Sequence, residues 1–199
     1  MSAIIRLAEP ADAATIQQVY APIVRDTHIS FELSVPDVAE IAARISQTLA
    51  QFPWLVCEID GRLAGYAYAS AFRARQAYQW TTETTVYVHP DFQRRGVSRA
   101  LYHSLVSVLR AQGYCNAVGV IALPNEGSIR AHEAAGFRKI GVFENVGFKA
   151  GQWRHTGWWQ LALRPMPEAP SPPRPIGELA GEARFTELLQ SGTKLLANH

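Results

Sequence analysis

The sequence predicts a mixed α/β domain, with helices layered on one sheet that contains both antiparallel pairs and a parallel crossover. Three observations carry this. Two strand-like runs, 54–59 and 63–71, flank Asp60-Gly61, a favoured tight-turn pair, so they form a hairpin. A β-branched run at 81–88, an amphipathic stretch at 97–112 and an apolar run at 115–123 follow one another as strand, helix and strand. The chain has 199 residues, 48% of them hydrophobic, enough for one full core and a tail.

Each element has its own signal. Residues 4–7 read as a short strand, and Pro10 suits the first turn of a helix whose apolar positions are Ile16, Val19, Tyr20, Ile23 and Val24. Residues 27–32 break that period and read as a loop. A second helix starts near Pro36, with Val38, Ile41, Ile45 and Leu49 on one face, and stops before Pro53. After the hairpin, 72–78 is an aromatic and basic loop. The helix at 97–112 turns Leu101, Leu105, Val108 and Leu109 inward and closes at Gly113. Asn125 caps a helix running to Ala135, which Gly136 ends. Residues 138–143 and 158–163 read as the last strands, with 147–157 as an aromatic, basic loop between them. Six prolines between 165 and 175 make a stiff extended linker. Residues 176–199 then read as one short amphipathic helix with Leu179, Phe185, Leu188 and Leu189 apolar, docked on the domain or on a partner subunit. The division is therefore a domain at 1–164, a linker at 165–175 and a tail at 176–199.

Composition excludes several classes. Lys+Arg is 19 and Asp+Glu is 17, so the net charge of +2 leaves no footprint for nucleic acid or an anionic membrane. Cys57 and Cys115 form no CxxC pair and sit in apolar runs, as small buried residues of a reducing compartment do; no metal site is indicated. Neither a leader at the N-terminus nor a bilayer-spanning run is seen, so the cytoplasm is expected.

The most informative stretch is Gln93-Arg94-Arg95-Gly96-Val97-Ser98, which joins the 81–88 strand to the 97–112 helix. A helix start offers free N–H groups and a positive dipole end, Gly96 tolerates φ > 0, and two arginines supply charged donors: the ingredients of an anion site. Composition alone serves equally well for an ordinary turn with solvated arginines. Neither GxGxxG nor GxxxxGK[ST] occurs, which disfavours a dinucleotide fold and a P-loop nucleotidase.

This loop resembles the acetyl-CoA pyrophosphate loop of the GNAT superfamily, [Q/R]-x-x-G-x-[G/A], with Ser98 at the last position. The stretches 72–78 and 80–88, Leu123-Pro124-Asn125 and His132-Glu133-Ala134 resemble the phosphinothricin N-acetyltransferase family, to roughly Pro165. That resemblance implies a GNAT fold with a central mixed, mostly antiparallel sheet, and acetyl-CoA as co-substrate without a metal. It implies acetylation of the α-amino group of a small amino-acid analogue, such as phosphinothricin or methionine sulfoximine or sulfone, by direct attack of the amine on the thioester. Resistance to such toxins and a homodimer belong to the same implication. An enzyme for another small amine or a protein N-terminus, and a non-catalytic acyl-CoA-binding module, are the alternatives.

The resemblance also assigns residues. Glu83 is the base that takes the amine proton; outside that context it reads as an exposed or cross-strand-paired glutamate. His132 assists proton transfer; by its place alone it reads equally as a polar residue on a helix surface. Apart from the resemblance, Tyr102 lies one turn after Ser98, where its hydroxyl suits the thioester oxygen, though such spacing also marks a core residue. Backbone groups of Val86, Tyr87 and Val88 pair with the pantetheine arm along an open strand edge. Arg94, Arg95, Gly96, Val97, Ser98 and Arg99 hold the pyrophosphate, and Asn125 contacts the cofactor. Arg73 and Arg75 are guanidinium forks for the anionic ends of the substrate, with Tyr78 beside them and Phe31 as a wall in the early loop. Trp153, Arg154 and His155 close the pocket from a neighbouring subunit.

Overall fold

The computed structural model describes residues 2–196; Met1 and residues 197–199, which the expected 1–164 domain and 176–199 tail include, lie outside it. One seven-stranded sheet forms the frame, in the order β1-β2-β3-β4-β5-β7-β6. Its strands are β1 (Ala3–Leu7), β2 (Trp54–Ile59), β3 (Arg62–Ala71), β4 (Thr81–Val88), β5 (Asn116–Leu123), β6 (Arg138–Lys149) and β7 (Gln152–Ala162). All neighbours are antiparallel except β4 and β5, which the crossover helix α3 (Val97–Gln112) requires to be parallel. The mixed, mostly antiparallel α/β architecture is the one expected.

Alternation along the strands divides the core in two. One cluster packs under α3 and includes Leu55, Leu101, Leu105, Leu109, Ile121 and Trp159. The other lies under α1 (Ala13–Asp26) and α2 (Val38–Thr48) and includes Ile16, Ile41, Ile45, Trp54 and Tyr66. Asp37 caps α2 by accepting the amide of Glu40 at 2.8 Å, which leaves Val38 in the first turn 44% exposed rather than on the inner face. Pro10–Asp12 is a 3-10 turn ahead of α1. The helix α4 (Glu126–Ala134) starts at Asn125, whose side chain accepts from the amide of Ser128 at 3.1 Å, and Gly136 at φ 93° closes its C-terminal turn.

Two expectations are corrected. Residues 147–157 are not a loop: β6 and β7 form one long hairpin turning at Ala150 and Gly151, whose φ of 52° and 73° are those of a two-residue turn. Irregularities at Lys139/Gly141 and Phe143/Gly147 break the period-two pattern and hide the strand in the sequence. The tail is not one helix but two, α5 (Ile176–Ala180) and α6 (Phe185–Gln190), followed by a 3-10 turn. Ile176, Leu179, Phe185 and Leu189 are buried in the α3-side core. The Gln190 amide pairs with both N and O of Ile5, at 3.3 and 2.6 Å, and so covers part of the edge of β1.

Candidate active site

The site begins where β4 leaves the sheet. After Val88 the chain turns through Pro90–Phe92, and buried Phe92 pins the turn between two guanidiniums, Arg62 at 5.0 Å and Arg95 at 5.4 Å from its ring centre. Arg94 (φ 62°) and Gly96 (φ 82°, ψ 3°) both adopt left-handed backbone, which is costly for an arginine and free for glycine. These two residues wind the chain into the start of α3, whose first bond runs from the Ala100 amide to the Gly96 carbonyl at 2.9 Å. The preceding amides of the helix have no intrahelical acceptor and form the positive end of its dipole. Gln93, Arg94, Gly96, Val97 and Ser98 line one bank of a groove of about 630 Å³; Asn125, Ser128 and Arg130 line the other, and Val86–Val88 run along its floor. Arg95 and Arg99 do not line it: Arg95 is spent on Phe92 and Arg99 points outward.

β4 and β5 pair only from Thr81 to Glu83, against Asn116 to Val118, and then part. From Thr84 to Val88 the β5-facing edge of β4 has no strand partner, while β5 continues with β7 to Leu123. An open edge of this kind presents unpaired amides and carbonyls to an extended ligand. The Val86 and Val88 side chains pack on the α3-side core and Tyr87 on the other, so only their backbone is free for such pairing. A free helix start continuous with a free strand edge fits a chain-like ligand with a diphosphate at one end.

Glu83 is the last residue of β4 paired with β5 and stands where the fork opens. Burial pushes its carboxyl above the ordinary value of 4.5, and the charge of Arg73 opposes the shift. Glu83 and His132 line one cavity of about 240 Å³, which shares Ile29, Val86, Tyr87, Asn125 and Ser128 with the groove. His132 is buried, which lowers its pKa from 6.5. Its Nδ1 lies 2.8 Å from the Ser128 carbonyl, which can only accept, so Nδ1 carries the proton. Nε2 is then an acceptor, and the Tyr102 hydroxyl, 2.8 Å away, donates to it. Tyr102 is fully buried, with its ring against Phe137 and its proton committed to His132, so its hydroxyl is not on the cavity wall as expected for a thioester donor.

The acceptor side differs from expectation in part. Phe31 lines the fork cavity. The Arg73 guanidinium stacks 4.6 Å from the Phe72 ring centre and 5.5 Å from that of Trp158, and its field reaches Glu83. Arg73, Arg75 and Tyr78 together line a cleft beside the fork, bounded by Pro172, Pro173 and Pro175, and none of the three lines the fork cavity itself. Tyr78 packs edge-on against Phe72 at 5.7 Å, and the Trp80 indole donates to the Ser171 carbonyl at 2.9 Å. Of the two arginines only Arg73 has a charge that reaches Glu83. Trp153, Arg154 and His155 lie on β7, with Trp153 62% exposed.

Sequence reasoning missed two supporting residues. Gly119 in β5 lies flat against the His132 ring, and a Cβ there would overlap it. A lone glycine in an apolar strand is the signal that marks such a close approach. Ser128, four residues before His132, fixes the imidazole tautomer through its carbonyl, which no side-chain pattern announces.

A profile of the GNAT acetyltransferase domain matches residues 5–158. The chain belongs to the GNAT acetyltransferases. It is 38% identical over 172 residues to the phosphinothricin N-acetyltransferase of Streptomyces viridochromogenes, covering 86% of this chain and 92% of that one. It is 33% identical over 160 residues to the L-methionine sulfoximine/L-methionine sulfone acetyltransferase of Salmonella typhimurium, covering 80% and 94%. Among solved structures, a GNAT superfamily phosphinothricin acetyltransferase from Sinorhizobium meliloti in complex with acetyl-CoA superimposes with a TM-score of 0.80 at 34% identity, over 86% of this chain and 97% of that one. The protein is thus an acetyl-CoA-dependent N-acetyltransferase, and the groove and open strand edge are of the form this GNAT co-substrate needs. Among the described residues no helix is long and apolar enough to cross a membrane, and no cluster of three His, Cys, Asp or Glu is placed to hold a metal.

Proposed function

We propose that this GNAT enzyme acetylates the α-amino group of a small amino-acid analogue of the phosphinothricin or methionine sulfoximine and sulfone type. The observation that carries the reading is Glu83: a carboxylate with a raised pKa, at the point where β4 and β5 part, sharing one cavity with His132 at the end of the cofactor groove. Acetyl-CoA supplies the acyl group as a thioester. The chain's own groups do the rest. Amides at Val97 and Ser98 and the side chains of Arg94 and Asn125 hold the phosphorylated end, and the free edge at Val86–Val88 aligns the arm. Glu83 accepts the proton of the incoming ammonium, directly or through one water, because only the neutral amine is a nucleophile. His132, neutral and fixed by Ser128 and Tyr102, gives the acyl end a rigid polar wall. Phe31 walls the acceptor side, and Arg73 stands at its margin, where its charge reaches Glu83. Names of relatives that act on amino-acid analogues with an acidic or polar side-chain end support this assignment.

The same reading places two copies together along β6, whose Ile140, Val142, Phe143, Val146 and Phe148 are exposed on an edge strand. It places the enzyme in the cytoplasm, in keeping with two buried unpaired cysteines, and gives resistance to such analogues as a consequence of the activity. Nothing in the route calls for a metal or a nucleic acid.

The test is thiol release from acetyl-CoA against a panel of amino acids and analogues. Glu83→Gln is expected to lower kcat about a hundredfold or more while acetyl-CoA affinity, read by calorimetry, is unchanged. An unaltered kcat removes the base assignment. Turnover of none of the analogues by the wild type removes the substrate assignment, and the calorimetry still tests the groove.

A further inference from the structure

The helix α1 ends without a glycine cap. Its last turn leaves orphan carbonyls that side chains satisfy instead: Thr27 Oγ1 donates to the Ile23 carbonyl, and the ammonium of Lys149, from the far end of the sheet, donates to that of Val24 at 2.7 Å. The same ammonium donates to the carbonyls of Ser30 at 2.6 Å and Glu32 at 2.7 Å. All three ammonium protons are therefore committed to backbone, in a residue only 8% exposed, at the negative end of a helix dipole. Burying a charge among carbonyls alone is costly unless the geometry is complete. Here it is complete, and two of the three bonds bracket Phe31.

Other contacts point to the same segment. The ring of Phe31 lies on Gly147, where any Cβ would overlap it. Ser30 Oγ and Tyr20 are 2.7 Å apart, the Tyr20 hydroxyl donates to Glu32 Oε1 at 3.0 Å, and Glu32 pairs with Arg44 at 2.6 Å. The His28 ring meets the Pro124 carbonyl at 2.9 Å, tying the segment to the turn between β5 and α4. The loop is thus a seated wall, held on one side by the β6–β7 hairpin.

We propose that Lys149 is a positioning residue for the acceptor site: it fastens residues 30–32 to the hairpin so that Phe31 stands in the fork opposite Glu83. Lys149 itself touches no reactant. The inference rests on the acceptor-side reading of Phe31 given above, and it adds that the amine pocket is set by a hairpin clamp remote from the cofactor groove.

Lys149→Met keeps length and apolar bulk and removes the three donors. The expected result in the full chain is a KM for the acceptor amine raised about tenfold, with acetyl-CoA affinity within about twofold of wild type. Amide exchange of residues 28–33 is expected to speed up while that of α3 does not. Adding Lys149→Met to Phe31→Ala is expected to change KM by less than about twofold, because both act on one wall. A merely structural lysine would instead weaken both ligands alike and add its full effect to Phe31→Ala, and either result overturns the proposal. Should Lys149→Met not fold, Gly147→Ala displaces the Phe31 ring with the ammonium in place; an unchanged KM there overturns it too. If the wild type turns over none of the analogues, the exchange measurement still decides the clamp: unchanged exchange at 28–33 ends it.

Discussion

The cofactor half and the acceptor half of the cavity are made differently. Backbone carries the first: the left-handed Gly96, free amides at the start of α3, and the unpaired edge of β4 beyond Glu83. Side chains from separate segments carry the second: Phe31, Glu83 and His132 line it, and the charge of Arg73 reaches Glu83 from the neighbouring cleft. Backbone sites depend on local conformation, which a few residues dictate. Side-chain sites depend on where distant elements bring them, and so tolerate changes of individual residues. One half suits a fixed co-substrate and the other a family of acceptors.

The largest expected effect tests the first half. In Gly96→Val a β-branched residue must take φ 82°, and its side chain stands where a phosphate approaches. Strain of about 3 kcal/mol corresponds to about a hundredfold loss of acetyl-CoA affinity, measurable by calorimetry. An affinity within about threefold of wild type would show that the groove is not organised by its backbone.

Next in size is the junction of the halves. Gly119→Ala pushes on the His132 ring and is expected to cost about 1–3 kcal/mol of stability, as overpacked cores do. It is also expected to lower kcat by more than it changes either KM, since the imidazole and the Tyr102 hydroxyl would lose their alignment. A variant with lowered melting temperature and wild-type kcat would make His132 a packing residue only.

What could be read beforehand follows the same division. The seven strands, the α3 crossover, its Gly113 end and the phosphate loop were legible because each is signalled locally, by β-branched runs, helical periodicity and glycine at φ > 0. The outer ends of β6 and β7 are legible, but the inner part of their hairpin, 147–157, reads as a loop because two irregularities and three glycines interrupt the alternation, although Ala150-Gly151 is its turn. Glu83 and His132 were named by resemblance, and their proximity depends on β4 and β5 parting, which no periodicity encodes. Tyr102 was placed one helical turn from the loop correctly, but the direction of its hydroxyl is set by His132 from another helix. Lys149 gave no signal, since its partners are carbonyls more than 100 residues away.

A smaller and sharper effect concerns pH. Glu83 must be ionised to accept a proton, so kcat/KM falls as pH drops through its pKa, and burial sets that limb above 4.5. Arg73 favours the ionised form. Its removal takes away the one charge that opposes burial, so the pKa rises further. Arg73→Ala is therefore expected to move the acid limb of the profile to higher pH, together with a higher acceptor KM. A limb that stays fixed or moves to lower pH would place Arg73 out of reach of Glu83.

The smallest expected effect separates sequence pattern from structure. Arg73 and Arg75 alternate, and both line the cleft beside Pro172 and Pro173. Only the charge of Arg73 reaches Glu83. Arg75→Ala is expected to change acceptor KM by less than about twofold and to leave the acid limb in place, because Arg75, unlike Arg73, exerts no field on Glu83. A KM rise equal to that of Arg73→Ala would mean that the loop rearranges when the amine binds, bringing the second fork across. In that case the hydrogen bond from Trp80 to Ser171 in the linker would have to open during turnover, and the acceptor half would be assembled by its ligand while the cofactor half is already formed.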